Sequence, residues 1–334
     1  MGSVKLLIRA LNKNYNVLLI GGVEMVNNEE EKLKNRLQVL WLRPENSLLS
    51  YFMSKALESV EFNSPSVDIS CGDGLTMFLM LGGVLEPDFD RFQSTKVNEF
   101  NHSSVVDIYD SYEKDYSAKI IKKPVTTIDY GTDWKQSLLD RASNLMLYNN
   151  LLLHDNNVTP LPLPSDHFKT VFSNAIYWVK DVESIITDVH RLVHPEGIVI
   201  FYVMTPYQYE TLDKLETCFN REAINILDRK RREVTSSLLP YDRWNKIMNK
   251  CGFDIEEVKS IYPHKIIMDI WNIGLRPIAH LLVRMSNAVS NEERSEIKKE
   301  WVEIFVELFK PLISIKETYT LEKAPYLMYK LRKK

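Results

Sequence analysis

Cysteine is scarce. Cys71, Cys218 and Cys251 are the only three in 334 residues, too few and too far apart for a disulfide framework or a four-ligand zinc site. That scarcity suits a reducing compartment, and a cytoplasmic location is expected. Long apolar runs are lacking too. No stretch reaches the ~18 uninterrupted apolar residues of a membrane span. The early apolar runs 4–8 and 17–20 are separated by Arg9, Asn12, Lys13 and Asn14, so no signal-peptide core is expected. Neither sign of charge dominates: 42 basic and 45 acidic residues leave a formal net charge of −3. Nucleic-acid binders carry a basic excess, and its absence argues against such a partner. Internal repeats, low-complexity segments and metal-ligand spacings are absent.

What is present is enough apolar material for a large core, 45% of the chain. The length suits one domain of roughly 200–250 residues with insertions and terminal additions. Residues 23–38 carry a charge run that reads as a solvated helix face. Pro44 opens a helical pattern through Leu48, Leu49, Phe52, Met53, Ala56 and Leu57. Residues 66–70 read as a strand, followed at once by a glycine turn and an apolar helix from Leu75. Residues 83–124 fit no simple period and read as an insertion.

Alternation then resumes. Strands are expected at 125–132, 151–154, 170–173, 198–203 and 253–261. Helices are expected at 134–147, from the Asp181 cap to Leu192, at 207–232 and at 241–250, the last ending at Gly252. Residues 194–197 read as a turn. Further helices are expected at 277–289 and 292–309, with Pro311 as a stop, and a last strand at 324–331. Strand–helix alternation over 66–260 predicts an α/β fold, a doubly wound and mostly parallel sheet with helices on both faces. Ligands of such sheets lie beyond the carboxyl ends of the strands, at the topological switch point.

The first chemical candidate is Asp68-Ile69-Ser70-Cys71-Gly72-Asp73-Gly74. Glycines after a buried strand let backbone approach a ligand, and the following helix offers free N–H groups. No third glycine completes the dinucleotide fingerprint. The second is Asp133-Trp134, with Ala142 nine residues after the acid. A carboxylate can accept two ribose hydroxyls, and a Trp can lie against a base. A helix cap with a core Trp is the other reading of the pair. The third is the polar cluster His154-Asp155-Asn156, and the fourth Ser173-Asn174 after the next strand.

In order and spacing these segments resemble class I S-adenosylmethionine-dependent methyltransferases. Residues 68–74 resemble that family's acid-x-G-x-G-x-G motif, with Ser70 at the first glycine. Residues 161–168 resemble L-P-F-x-D-x-x-F, residues 168–174 resemble F-D-x-V-x-S-N with Lys169 for the acid, and residues 191–197 resemble R-V-L-K-P-G-G with Glu196 for a glycine. Cys251-Gly252-Phe253 resembles the turn into the sixth strand. The nearest likeness is to the group that includes ubiquinone- and menaquinone-pathway enzymes and other small-molecule methyltransferases. The resemblance covers about three-fifths of the chain.

It implies a seven-stranded sheet with its last strand antiparallel. The domain would span 63–334, with an N-terminal extension and helical cover at 1–62, the insertion 83–124, and a helical insertion 262–320 before the last strand. It also implies S-adenosylmethionine as cofactor and S-adenosylhomocysteine as product, with no metal. Cofactor contacts are expected from Asp68, Ser70, Cys71, Gly72, Asp73, Gly74, Asp133, Trp134, Asp155, Asn156, Ser173 and Asn174. The expected reaction is in-line methyl transfer to a small-molecule acceptor, sugar-like or a biosynthetic intermediate.

Tyr177 and Trp178 follow the fourth strand, where the family faces the transferred methyl; core packing is their plainer role. Arg43 could meet a carboxylate or close a structural salt bridge. His102 and Tyr109 could reach substrate from the insertion. His190 reads as structural, and the run 228–232 as a solvated helix end. The helices at 277–309 could be a lid, a membrane foot or a homo-oligomer face, with a lid or core cover the first choice. No general base stands out. Two alternatives differ in class: a non-catalytic scaffold of the same fold, to which Ser70, Lys169 and Glu196 point, and a nicotinamide-dependent oxidoreductase.

Overall fold

The computed structural model describes residues 22–93, 95, 117–229, 231–235, 238–316 and 319–334. Two helices lead, α1 (Gly22–Val39) and α2 (Pro44–Leu57). The charge run of α1 is solvated on one side only, because Leu33, Arg36 and Leu37 are buried. The Arg36 guanidinium donates to the carbonyls of Lys32 at 2.6 Å and Leu79 at 2.9 Å. Burial pulls its pKa down to about 10. Pro44 opens α2, where its missing N–H has no helical partner to lose.

The buried strand β1 (Ser66–Ile69) follows, then the short helix α3 (Leu75–Met80). The insertion starts and ends as a two-stranded antiparallel pair, β2 (Val84–Leu85) with β3 (Ile120–Lys122). Next come β4 (Ile128–Asp133), α4 (Gln136–Ser143), β5 (Tyr148–Leu153), β6 (Phe168–Ser173), α5 (Val182–Leu192) and β7 (Val193–Met204). Asp181 caps α5 by accepting from the Ser184 N–H at 3.0 Å.

Residues 194–197 are no turn. Strand β7 runs through them, with Val193 opposite Phe168 and Ile198 opposite Thr170, so the surplus residues bulge. A Cβ on Gly197 would come 2.6 Å from the Phe168 carbonyl, which is why the bulge carries glycine. The expected helix 207–232 is also broken, into α6 (Glu210–Leu215), α7 (Arg221–Asp228) and α8 (Arg231–Val234). Asn220 restarts it by accepting from the Ala223 N–H, and Arg229 ends α7 in a left-handed conformation.

The chain continues through α9 (Tyr241–Lys250), β8 (Phe253–Ser260), α10 (Lys265–Ile273), α11 (Ala279–Asn287), α12 (Asn291–Ile313) and β9 (Tyr326–Lys333). Pro311 does not stop α12. It lies in the final turn, where it leaves the Glu307 carbonyl without its helical N–H, and the helix ends two residues later at Ile313. One face of these helices covers the core: Val302, Val306 and Phe309 are buried, and Trp301 meets Trp41 edge-to-face at 6.0 Å, while Ile297, Ile304 and Leu308 are exposed. By length and composition Lys265–Asn287 is apolar enough to cross a membrane. Here Gly274 and a 3-10 turn divide it, and Ile267, Trp271, Ala279 and Val283 enter the core.

The seven strands lie in the order β5-β4-β1-β6-β7-β9-β8. Strands β5, β4, β1, β6 and β7 are mutually parallel, and β9 runs antiparallel to β7 and β8. The chain leaves β1 toward β4 and β5, then returns to its other side as β6 and β7. The order therefore reverses beside β1, which puts the crevice beyond the carboxyl ends of β1 and β6.

Candidate functional site

Three residues of the turn after β1 are left-handed: Ser70 at φ 63°, Gly72 at 60° and Gly74 at 72°. Two are glycine, which adopts that region freely. Ser70 is strained there, by on the order of 1 kcal/mol. Its surroundings hold it: the Asn156 amide donates to its Oγ, and the Cys71 N–H donates to the Thr132 carbonyl at 2.8 Å. A Cβ on Gly72 would meet nothing within 4 Å, so open space lies above the turn. At Gly74 the same atom would lie 2.8 Å from the Tyr148 ring. Gly74→Ala should therefore destabilise the protein by roughly 2–3 kcal/mol, from left-handed strain and the clash together. Thermal unfolding reads this, and an unchanged midpoint would contradict the turn geometry.

An acid stands on either side of the turn. Asp68, buried near the end of β1, accepts the Tyr148 hydroxyl through Oδ2 at 2.6 Å. Its Oδ1 has no hydrogen-bond partner. Burial first, then the charge of Asp133, push its pKa up to about 7, against the Tyr148 bond that lowers it. Asp133 ends β4. Its Oδ2 accepts from the Gly72 N–H at 3.0 Å and its Oδ1 from the Lys135 N–H at 3.0 Å. Asp73 is committed elsewhere, to Arg91 at 2.6 Å and Arg141 at 3.5 Å, which fastens the turn to α4 and to the insertion.

Trp134 is 63% exposed, with the Lys135 ammonium 4.8 Å above its ring. Asp155 is exposed and accepts from Asn157, which lowers its pKa. Asn156 is buried. Its amide nitrogen serves Ser70 while its Oδ1 has no partner. Ser173 donates to the Ile69 carbonyl at 2.8 Å, tying β6 to β1, and the Asn174 carbonyl accepts the Tyr326 hydroxyl at 3.2 Å. So Asp68, Ser70–Gly74, Asp133, Asn156 and Ser173 do converge at the switch point.

Tyr177 is buried in a 3-10 turn beyond β6, edge-to-face with Tyr326 at 6.1 Å, whereas Trp178 is 42% exposed. Tyr262 stacks on Tyr326 at 5.7 Å. Burial pushes all three phenols above their ordinary range. Arg43 closes a buried salt bridge to Glu45 at 2.5 Å, the structural one of its two expected roles. His102 and Tyr109 lie outside the described residues. The run 228–232 is not a solvated helix end. Asp228 is buried, and the Arg231 guanidinium lies 3.7 Å over the Trp271 ring. Tyr148, Tyr262, Tyr326 and Arg231 carried no sequence signal, because no local pattern marks contacts made across the fold.

A model of the methyltransferase domain family matches residues 115–201, which hold β3 to β6 and most of β7. Over those residues the chain is similar to that family. The matched strands lie in a sheet whose antiparallel strand β9 follows β7, around the glycine turn just described. Over 221 residues, 64% of its length, it is 24% identical to probable polyketide synthase 28 of Dictyostelium discoideum, of which it spans only 7%. Solved structures of similar shape include a methyltransferase from Thermotoga maritima titled a possible histamine N-methyltransferase. It is 14% identical, with TM-score 0.44 and coverage of 86% of this chain and 92% of that one. Another, from Thiobacillus denitrificans, is in complex with S-adenosyl-L-homocysteine. It is 12% identical, with TM-score 0.40 and coverage of 86% and 91%. Among the described residues no three His, Cys, Asp or Glu side chains gather to hold a metal.

Proposed function

We propose that S-adenosylmethionine lies across residues 70–74 and that its methyl group goes to a small biosynthetic acceptor among Tyr177, Tyr262 and Tyr326. The observation that carries this is the pair of buried acceptors beside one left-handed turn, Asp68 Oδ1 and Asn156 Oδ1, both without partners, with the Asp133 carboxylate holding the Gly72 N–H of that turn. Buried acceptors without partners are costly in a folded protein, and a cofactor with amino and hydroxyl donors relieves that cost.

In this reading Asp133 takes the ribose hydroxyls. Asp68 faces the cationic amino acid end of the cofactor. Asn156, with Asp155 beside it, serves the adenine amino group, and Trp134 offers its exposed face to the ring. The backbone of Ser70–Gly74 approaches the ligand, and Ser173 and Asn174 shape the floor of the site.

When bound, the cofactor supplies a methyl already activated on a sulfonium, so the chain's own work is alignment and exclusion of water. Alignment alone is worth on the order of 7–11 kcal/mol. The buried phenols beyond β6 and β7 stay neutral and do not act as bases. The likeness to a polyketide synthase supports an acceptor from biosynthesis.

The test is methyl-labelled S-adenosylmethionine offered with mixtures of phenols, carboxylic acids, amines and sugars, and separately with RNA and DNA. Label should enter a small molecule, with S-adenosylhomocysteine formed in equal amount. Label found only in nucleic acid would contradict the reading.

A further inference from the structure

We propose that the acceptor carries a carboxylate and that Arg231 receives it. This rests on the reading above, in which the space beyond Tyr177 holds the acceptor.

Arg231 opens α8 and lays its guanidinium flat on Trp271, 3.7 Å from the ring centre. Stacking occupies a face of the guanidinium and leaves its in-plane N–H groups pointing outward. No described residue accepts a hydrogen bond from that guanidinium or forms an ion pair with it. Other cations nearby are committed: Arg43 holds Glu45 at 2.5 Å, Arg232 holds Asp213 at 2.9 Å and Glu216 at 2.8 Å, and Arg276, 5.7 Å from the centre of the same Trp271 ring, has partners of its own. Asp228, the acid whose charge acts on Arg231, accepts from the Arg232 N–H at 2.7 Å.

The surroundings are aromatic. Arg231 shares its electrostatic environment with Tyr177 and Tyr209, and Tyr262 feels its charge in turn. Burial is the largest cause acting on Arg231 and lowers its pKa, against the charge of Asp228 that raises it. A desolvated cation of this kind is costly until an anion pairs with it. Tyr177 connects the arginine to the cofactor side, since it follows β6 by four residues and Ser173 of β6 is bonded to the Ile69 carbonyl beside the glycine turn.

A second polar group points the same way. Gln208, 1% exposed, has neither its amide oxygen nor its nitrogen hydrogen-bonded. Its backbone carbonyl accepts from Asn272, the neighbour of Trp271, at 2.7 Å. A guanidinium edge with two parallel N–H groups matches the two oxygens of a carboxylate. A phosphate dianion asks for a second cation, and Arg43 and Arg232 are already paired.

The experiment is calorimetric titration of the full chain, free and loaded with S-adenosylhomocysteine. The probes are benzoate, cinnamate and octanoate, their amides, and phenyl phosphate. Wild type should bind at least one acid about tenfold or more tighter than its amide. Arg231→Gln should bring that ratio close to one, Arg231→Lys should reduce it in part, and both should keep wild-type affinity for S-adenosylhomocysteine. If Arg231→Gln fails to fold, the partial loss in Arg231→Lys decides. Equal binding of acids and amides, no binding of any acid, an undiminished preference in the variants, or a preference for phenyl phosphate would each overturn the assignment. Failure of S-adenosylhomocysteine itself to bind would be a failure of the cofactor reading, and the acid-to-amide ratio on the free chain would still judge Arg231.

Discussion

Replacing Asp133 by Ala lowers affinity for S-adenosylmethionine by about a hundredfold. The carboxylate does two jobs at once. It fixes the glycine turn by accepting the Gly72 and Lys135 N–H groups, each at 3.0 Å, and in the proposed reading it also takes the ribose hydroxyls. Hydrogen bonds to a charged partner are worth roughly 1.5–3 kcal/mol each, so losing the ribose pair alone removes on the order of 3 kcal/mol, a factor of about a hundred. S-adenosylhomocysteine should weaken in parallel, because the ribose is common to both. Asp133→Asn should fall between, since an amide keeps the shape but turns a donor toward one of the two backbone N–H groups. Calorimetry on the three proteins measures this. A loss below about threefold in Asp133→Ala, with the fold intact, would remove Asp133 from the site.

The second large effect is on pH dependence, through Asp68. Its folded pKa is raised from 3.8 to about 7, chiefly by burial. A carboxyl with a raised folded pKa stabilises the fold below its unfolded value and loses that contribution as pH rises through the folded one. Ligand-free protein should therefore lose stability between about pH 4 and 7, by on the order of 4 kcal/mol at most. Asp68→Asn should abolish that part of the slope and raise the ligand-free unfolding temperature at pH 8 by several degrees. A cationic ligand reverses the sign. The proton must leave Asp68 before the carboxylate can face the amino group of the cofactor, so affinity should fall as pH drops below about 7, by up to tenfold per unit. The measurement is the affinity for S-adenosylmethionine between pH 5.5 and 7.5 in wild type and Asp68→Asn. A flat wild-type profile, or the same slope in the variant, would contradict the role given to Asp68.

Much of this site is legible in the sequence because its parts are local. A turn that needs left-handed residues shows itself as Gly72 and Gly74. A strand end that needs an acid shows itself as Asp133, nine residues before Ala142. The mostly parallel sheet with helices on both faces follows from strand–helix alternation. What escaped depends on contacts far apart in sequence. The helix expected over 207–232 breaks because Asn220 caps a new start, and one capping side chain is a weak signal against a long periodic pattern. The bulge at 194–197 is set by Phe168 on the neighbouring strand. Tyr148 meets Asp68 across 80 positions, and Arg231 meets Trp271 across forty; neither leaves a mark on its own neighbourhood. Arg231 even sits in a run of charges, the pattern that most often means solvent.

The central claim is that residues 68–74 and Asp133 hold S-adenosylmethionine. The most direct test is calorimetric titration of the full chain with S-adenosylmethionine, S-adenosylhomocysteine and NADH. The prediction is micromolar binding of both sulfur compounds with one site per chain, and none of NADH. Absence of binding by both, or binding of NADH in their place, would contradict it.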